Sequence, residues 1–190
     1  MIWSGLTHLR RPSLQFAERR IRQVRTHTFA GNHAVEIPST LSRLLLPGIE
    51  TRFRTLRTSD QQHLIDVAGS LSRNGAGEDL VAAGLLHDIG KAAPGITIRL
   101  TDRVAKVLLE YLAPGAIASL ALRERPRRFE SALWVLARHA HSGSDIARQA
   151  GYNERVQWLI ANHERRDLID NPDLRRLFAA DESGDRRPAR

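Results

Sequence analysis

Through most of this chain, apolar residues recur at three- and four-residue spacing between Gly and Pro breaks, and no useful stretch alternates apolar with polar residues. Such a pattern buries itself by packing helix on helix, so the expected fold class is all-α, a single helical bundle with an N-terminal extension. The breaks fall at Pro47, Asn74–Gly77, Pro94–Gly95, Pro114–Gly115, Pro126, Gly143, Gly151 and Pro172. They divide the chain into a basic extension over 1–44, a helical domain over 45–185 and a polar, disordered tail over 186–190. A short extended piece is expected near Phe29–Pro38, where Gly31 and Asn32 accompany β-branched Val35 and Ile37. At 190 residues and 42% apolar, the chain can fill one core of ordinary size. Trp134 and Trp158 are expected in that core.

Cysteine is absent, which excludes a disulfide framework, a thiolate metal site and a cysteine nucleophile. Any metal must therefore rest on imidazole nitrogen and carboxylate oxygen. The longest apolar runs, Val81–Leu86 and Ala116–Leu122, fall well short of the roughly 18 to 20 residues that span a bilayer. Met1–Leu9 lacks the pattern of a secretory signal. A cytoplasmic protein with no membrane partner is the expectation. The formal charge of +8 is concentrated early, with Arg10, Arg11, Arg19, Arg20, Arg22, Arg25, Arg43, Arg52, Arg54 and Arg57 against four acids in residues 1–60. That excess can attract a phosphorylated substrate or another polyanion. No nucleic-acid motif accompanies it, so a nucleic-acid partner is not expected.

Chemistry shows where polar groups enter apolar helical faces. His63 lies four residues before Val67, beside the stripe formed by Leu64, Val67, Ala68 and Leu71. The segment from Glu78 to Ile89 is almost uncharged after its first turn and ends in His87-Asp88. Two metal-competent side chains directly after an apolar helix face a desolvation cost that a metal ion relieves. Near the C-terminus, Leu174, Leu177, Phe178 and Asp181 fall at i, i+3, i+4 and i+7, which puts the Asp181 carboxylate on the buried stripe. His8, His27 and His33 read as surface residues of the leader.

His63 followed by the run His87-Asp88-Ile89-Gly90-Lys91 resembles the HD superfamily of metal-dependent phosphohydrolases, over about residues 45–185. The resemblance implies that His63, His87, Asp88 and Asp181 converge on divalent metal; Ala179-Ala180-Asp181 is similar to the family's terminal aspartate context. His139, four residues before Gly143, resembles a His-x-x-x-Gly element that gives binuclear members a further ligand at the start of a helix. Asn162-His163-Glu164 resembles their His-His-Glu element, with Asn162 in place of the first histidine. By this resemblance Asp88 would bridge two ions, with His63, His87 and Asp181 on one and His139 and His163 on the other. His141 is an alternative to His139, because the two cannot point the same way on one helix.

The cofactor expected is one or two divalent ions, of manganese, iron, cobalt, nickel or zinc, since calcium prefers oxygen alone. Such an ion lowers the pKa of water, which then attacks phosphorus. Asp88 and Lys91 are the expected catalytic side chains. Lys91 either holds a phosphate oxygen or favours the helix dipole. The expected activity is hydrolysis of a phosphate ester of a small molecule, a nucleotide by preference. The alternatives are a catalytically silent metal-binding regulatory module and an arginine-rich nucleic-acid adaptor. The sequence does not choose a substrate, a metal stoichiometry or an oligomeric state.

Overall fold

A computed structural model describes residues 35–127 and 130–184. The leader before Val35, with its three histidines and most of the expected extended piece, lies outside the described residues, as does the tail from Asp185. Among the described residues all regular structure is helical. The helices are α1 (Ser39–Ser42), α2 (Ile49–Arg54), α3 (Thr58–Arg73), α4 (Glu78–Leu86), α5 (Leu100–Leu112), α6 (Pro114–Ala121), α7 (Ser131–Ala150), α8 (Glu154–Asn162) and α9 (Pro172–Gly184). Short 3-10 turns at Ile89–Lys91 and Arg166–Leu168 follow α4 and α8. The chain divides into two compact units, and among the described residues the boundaries fall at Pro94/Gly95 and, inside α7, at Arg138/His139.

The larger unit holds α1 to α4, the second half of α7, α8 and α9. Its core gathers Phe53, Leu64, Val67, Leu80, Leu85, Leu86, Ile89, Leu159, Ile160, Leu174 and Leu177, all essentially inaccessible to water. Leu41 belongs to this core, and Val35, Ile37 and Leu44 pack against it. α4 is its centre: every residue from Leu80 to Leu86 is buried, and α3, α8 and α9 all pack on it. That is why its sequence lacks a polar face. Gly84 lets α3 come close, since a Cβ there would stand 2.5 Å from a Leu71 methyl.

Local signals set the helix ends. α7 stops at Gly151, whose φ of 93° is left-handed, and the Tyr152 N–H closes the turn by donating to Ala147 O at 3.0 Å. The Asn153 side chain then accepts from Val156 N–H at 3.0 Å and starts α8. Asn171 does the same for α9 through Leu174 N–H, ahead of Pro172. The Tyr152 hydroxyl donates to Leu44 O at 2.7 Å and accepts from Leu46 N–H at 3.0 Å, tying the loop before α2 to the loop after α7.

The smaller unit contains α5, α6 and the start of α7, with Ile98, Val107, Ile117, Leu120, Val135 and Leu136 buried. A reciprocal cap starts α5, with Arg99 N–H donating to Asp102 at 2.7 Å. The Trp134 indole and the Arg138 guanidinium both donate to Arg123 O at 2.9 Å, which orders the turn after α6.

Two sequence expectations change. Gly143 is not a break: α7 runs through it without interruption, and His139 consequently sits mid-helix rather than at a helix start. The residue is glycine because of crowding. The backbone of Gly90 lies against α7, where a Cβ on Gly90 would meet His139 O at 2.0 Å, and a Cβ on Gly143 would meet Ile160 Cγ2 at 3.0 Å and Gly90 N at 3.3 Å. Neither tryptophan is a core residue: Trp158 is 42% exposed and Trp134 is half-buried.

The crowding differs at the two glycines, and so should the cost. Gly90→Ala has backbone in its way and should lose about 3 kcal/mol, whereas Gly143→Ala meets mainly a methyl group that can shift and should lose about 1 kcal/mol. Thermal melts of the two variants in chelator check the order; equal losses would contradict the contact.

Candidate metal centre

Each polar side chain at the centre is presented by a feature of the larger unit already described. His87 is the residue on which α4 ends, and its Nδ1–H donates to Gly84 O at 2.9 Å. His163 ends α8 in the same way, with Nδ1–H donating to Ile160 O at 2.7 Å. The carbonyl three residues back takes the Nδ1 proton, so in both rings Nε2 is the lone-pair nitrogen. Asp88 opens the 3-10 turn, α7 supplies His139 one turn before Gly143, and α3 and α9 supply His63 and Asp181.

These atoms converge. His63 Nε2 is 2.9 Å from Asp181 Oδ1, and His87 Nε2 is 3.7 Å from the same oxygen. His87 Nε2 is 3.8 Å from Asp88 Oδ2. The other oxygen of Asp88 faces the opposite pair, 3.1 Å from His139 Nε2 and 3.7 Å from His163 Nε2, and those two nitrogens are 3.2 Å apart. The rings of His63 and His87, His87 and His163, and His139 and His163 stand edge to face at 5.5, 5.0 and 5.1 Å. Two groups able to hold a metal ion result, one of His63, His87 and Asp88, the other of Asp88, His139 and His163, with Asp88 common to both. Lys91 forms an ion pair with Asp88 Oδ2.

The electrostatics suit cation binding. Burial lowers the His87 pKa, more than Asp88 and Asp181 raise it. Burial and the neighbouring His87 and His139 push His163 down to about 3. Both imidazoles are therefore neutral donors near pH 7. Burial disfavours the charge on Asp88, but Lys91, His87 and the hydrogen bond from His139 outweigh it and hold the carboxyl well below the usual carboxylate range. The Nε2 lone pairs of His87 and His163 beside an ionised carboxylate form a donor set that a divalent ion fits.

The structure thus brings His63, His87, Asp88, His139, His163 and Asp181 together, with Lys91 beside them. His141 points away: its side chain is 55% exposed, next to Asp145. Asn162 also turns from the cluster and donates to Trp158 O at 2.8 Å. Sequence reasoning gave Glu164 no role, yet its carboxylate reaches to 3.9 Å from His139 Nε2. Its place directly after His163 was the available signal.

A pH dependence follows for the protein in chelator. The unfolded chain's imidazoles protonate near pH 6.5, whereas His163 in the folded state resists protonation down to about 3 and His87 is shifted the same way. Stability is then complete above about pH 6.5 and is lost as pH falls towards 3, because the unfolded state takes up protons that the folded state refuses. Thermal midpoints in chelator should fall steadily from pH 7 to 4, and a flat profile would contradict the buried neutral imidazoles.

No match is found among curated proteins or among solved structures. The HD domain family model matches residues 60–183, a span that begins in the first turn of α3, ends in α9 and contains every residue of the cluster. With more than half of its length matched, this chain belongs to the HD domain family, which includes metal-dependent phosphohydrolases.

Proposed function

We propose that this protein is a phosphohydrolase or phosphodiesterase that cleaves a phosphate ester of a small molecule, a nucleotide by preference, in a binuclear site within a domain of residues 45–185. The single observation that carries the reading is the sharing of Asp88 between the two groups of metal-competent side chains. In this assignment His63, His87, Asp88 and Asp181 hold one divalent ion, and Asp88, His139 and His163 hold a second. Four imidazoles with carboxylates favour manganese, iron, cobalt, nickel or zinc over calcium. Held by these residues, a divalent ion would supply Lewis acidity, making bound water a hydroxide source near neutral pH and offsetting charge on the leaving oxygen.

The chain's own groups do the remaining work. The Nδ1–H bonds of His87 and His163 to Gly84 O and Ile160 O fix ring orientation before anything binds. Lys91 balances the Asp88 charge, and its ammonium has further N–H groups with which to hold a phosphate oxygen. Glu164, whose carboxylate lies 3.9 Å from His139 Nε2, adds negative charge beside the cluster and is placed to take a proton from water. Burial of His87, Asp88, His139 and His163 keeps bulk water away and strengthens every charge interaction among them. The Asn162 amide donates to Trp158 O within α8, so it is engaged along its own helix rather than as a ligand in the cluster.

Metal content and turnover test the assignment together. Purified protein should carry about two metals per chain by mass spectrometry and hydrolyse bis-p-nitrophenyl phosphate with added manganese. Asp88→Ala should lose both metals and lower kcat at least about a hundredfold, and His163→Ala should retain one metal. Lys91→Ala should keep the metals and raise KM. Unchanged metal content in Asp88→Ala would contradict the assignment, and metal-loaded protein without turnover on a nucleotide panel would favour the regulatory module.

A further inference from the structure

Helices α5 and α6 of the smaller unit pack on one another with a bend of 118° between them, and their outer surface is unusual for helices in water. Val107–Leu122 contains a single charged residue, Glu110, and Lys106 neutralises it at 2.9 Å. Every exposed position between them is uncharged. Leu108 and Leu112, one turn apart on α5, are 43% and 65% exposed, and Leu122 after α6 is 50% exposed. Ala116 and Ser119, on the α6 face that leads to Leu122, are exposed as well. A helix facing only water would carry Lys, Arg or Glu at these places.

Charge returns at both ends of the stretch with a basic excess, although Asp102 on one side and exposed Glu124 on the other stand among the arginines. Arg99 precedes it, Arg125 and Arg127 follow it, and all three are exposed. Residues 95–138 hold eight Lys and Arg against four Asp and Glu, an excess of four. An apolar helical stretch whose one charge, Glu110, is paired with Lys106, and which has exposed arginines before and after it, matches a bilayer surface with anionic headgroups: the leucines would enter the acyl boundary and the guanidiniums would meet phosphate. Among the described residues no single helix is long and apolar enough to cross a membrane; α5 and α6 reach that length and apolarity only together, across their 118° bend, and a surface contact needs neither to span.

We propose that the α5–α6 corner docks on an anionic lipid surface, with Leu108, Leu112 and Leu122 inserting and Arg99, Arg125 and Arg127 holding lipid phosphates. Insertion gives the apolar part of the affinity and the arginines give selectivity for anionic over neutral lipid. The expectation of no membrane partner rested on the lack of a spanning segment, which a contact of this kind does not need. The proposal stands independently of the metal centre.

The test is co-sedimentation of the full chain with vesicles of phosphatidylcholine alone and of phosphatidylcholine with a quarter phosphatidylglycerol, at about 0.15 M salt, where remote charges are screened. Binding to the anionic vesicles, weak binding to the neutral ones, and a loss of about tenfold in affinity in Leu112→Gln/Leu122→Gln are expected. Should that pair fail to give the wild-type thermal melt, Arg125→Ala/Arg127→Ala reads the same loss on anionic vesicles. No binding, equal binding to both vesicles, or full affinity in the substituted proteins would overturn the proposal. Displacement by a random DNA duplex with no sensitivity to the leucines would overturn it too, in favour of a nucleic-acid surface.

Discussion

Backbone contact between Gly90 and α7 governs the geometry of the centre. A side chain at Gly90 would stand inside the carbonyl group of His139, and glycine at 143 lets Ile160 and Gly90 approach from the other side. This closeness carries the His139 ring to 3.1 Å from Asp88 and so joins the two halves of the cluster. The Ile89–Lys91 turn therefore serves three ends at once: Ile89 fills the core, Gly90 admits the helix, and Lys91 turns its ammonium to Asp88. A wider spacing between α4 and α7 would leave His63, His87 and Asp181 in place but strand His139.

Gathering these groups out of water is costly, and the fold manages the cost in distinct ways. Two rings give their Nδ1 protons to carbonyls at helix ends that need donors anyway. Asp88 keeps its charge because a lysine and two histidines surround it. The Nε2 atoms of His139 and His163 stand 3.2 Å apart beside the Asp88 carboxylate, a grouping of ligand atoms that a divalent cation would fit.

Much of this was legible from residue spacing. The apolar α4 ending in His87-Asp88 and the i, i+3, i+4, i+7 stripe carrying Asp181 both point inward as read. The choice between His139 and His141 was not legible, because alternation along one helix does not say which side faces the core; the structure buries His139 and exposes His141. Gly143 was misread because a glycine that breaks a helix and one that admits a neighbour look identical in sequence. Glu164 was passed over because a charge at a helix end is ordinarily solvated. The apolar surface of α5 and α6 escaped for a related reason: hydrophobic spacing shows that a face needs cover but not whether the chain itself provides it.

The central claim is that Asp88 belongs to two metal sites at once. Electron paramagnetic resonance of the chelated protein titrated with manganese tests it most directly, since two ions on one carboxylate couple magnetically. The account predicts that the isolated six-line manganese spectrum gives way to an exchange-coupled signal as the second equivalent binds. A six-line spectrum that persists unchanged at two equivalents, or saturation at one, would contradict it.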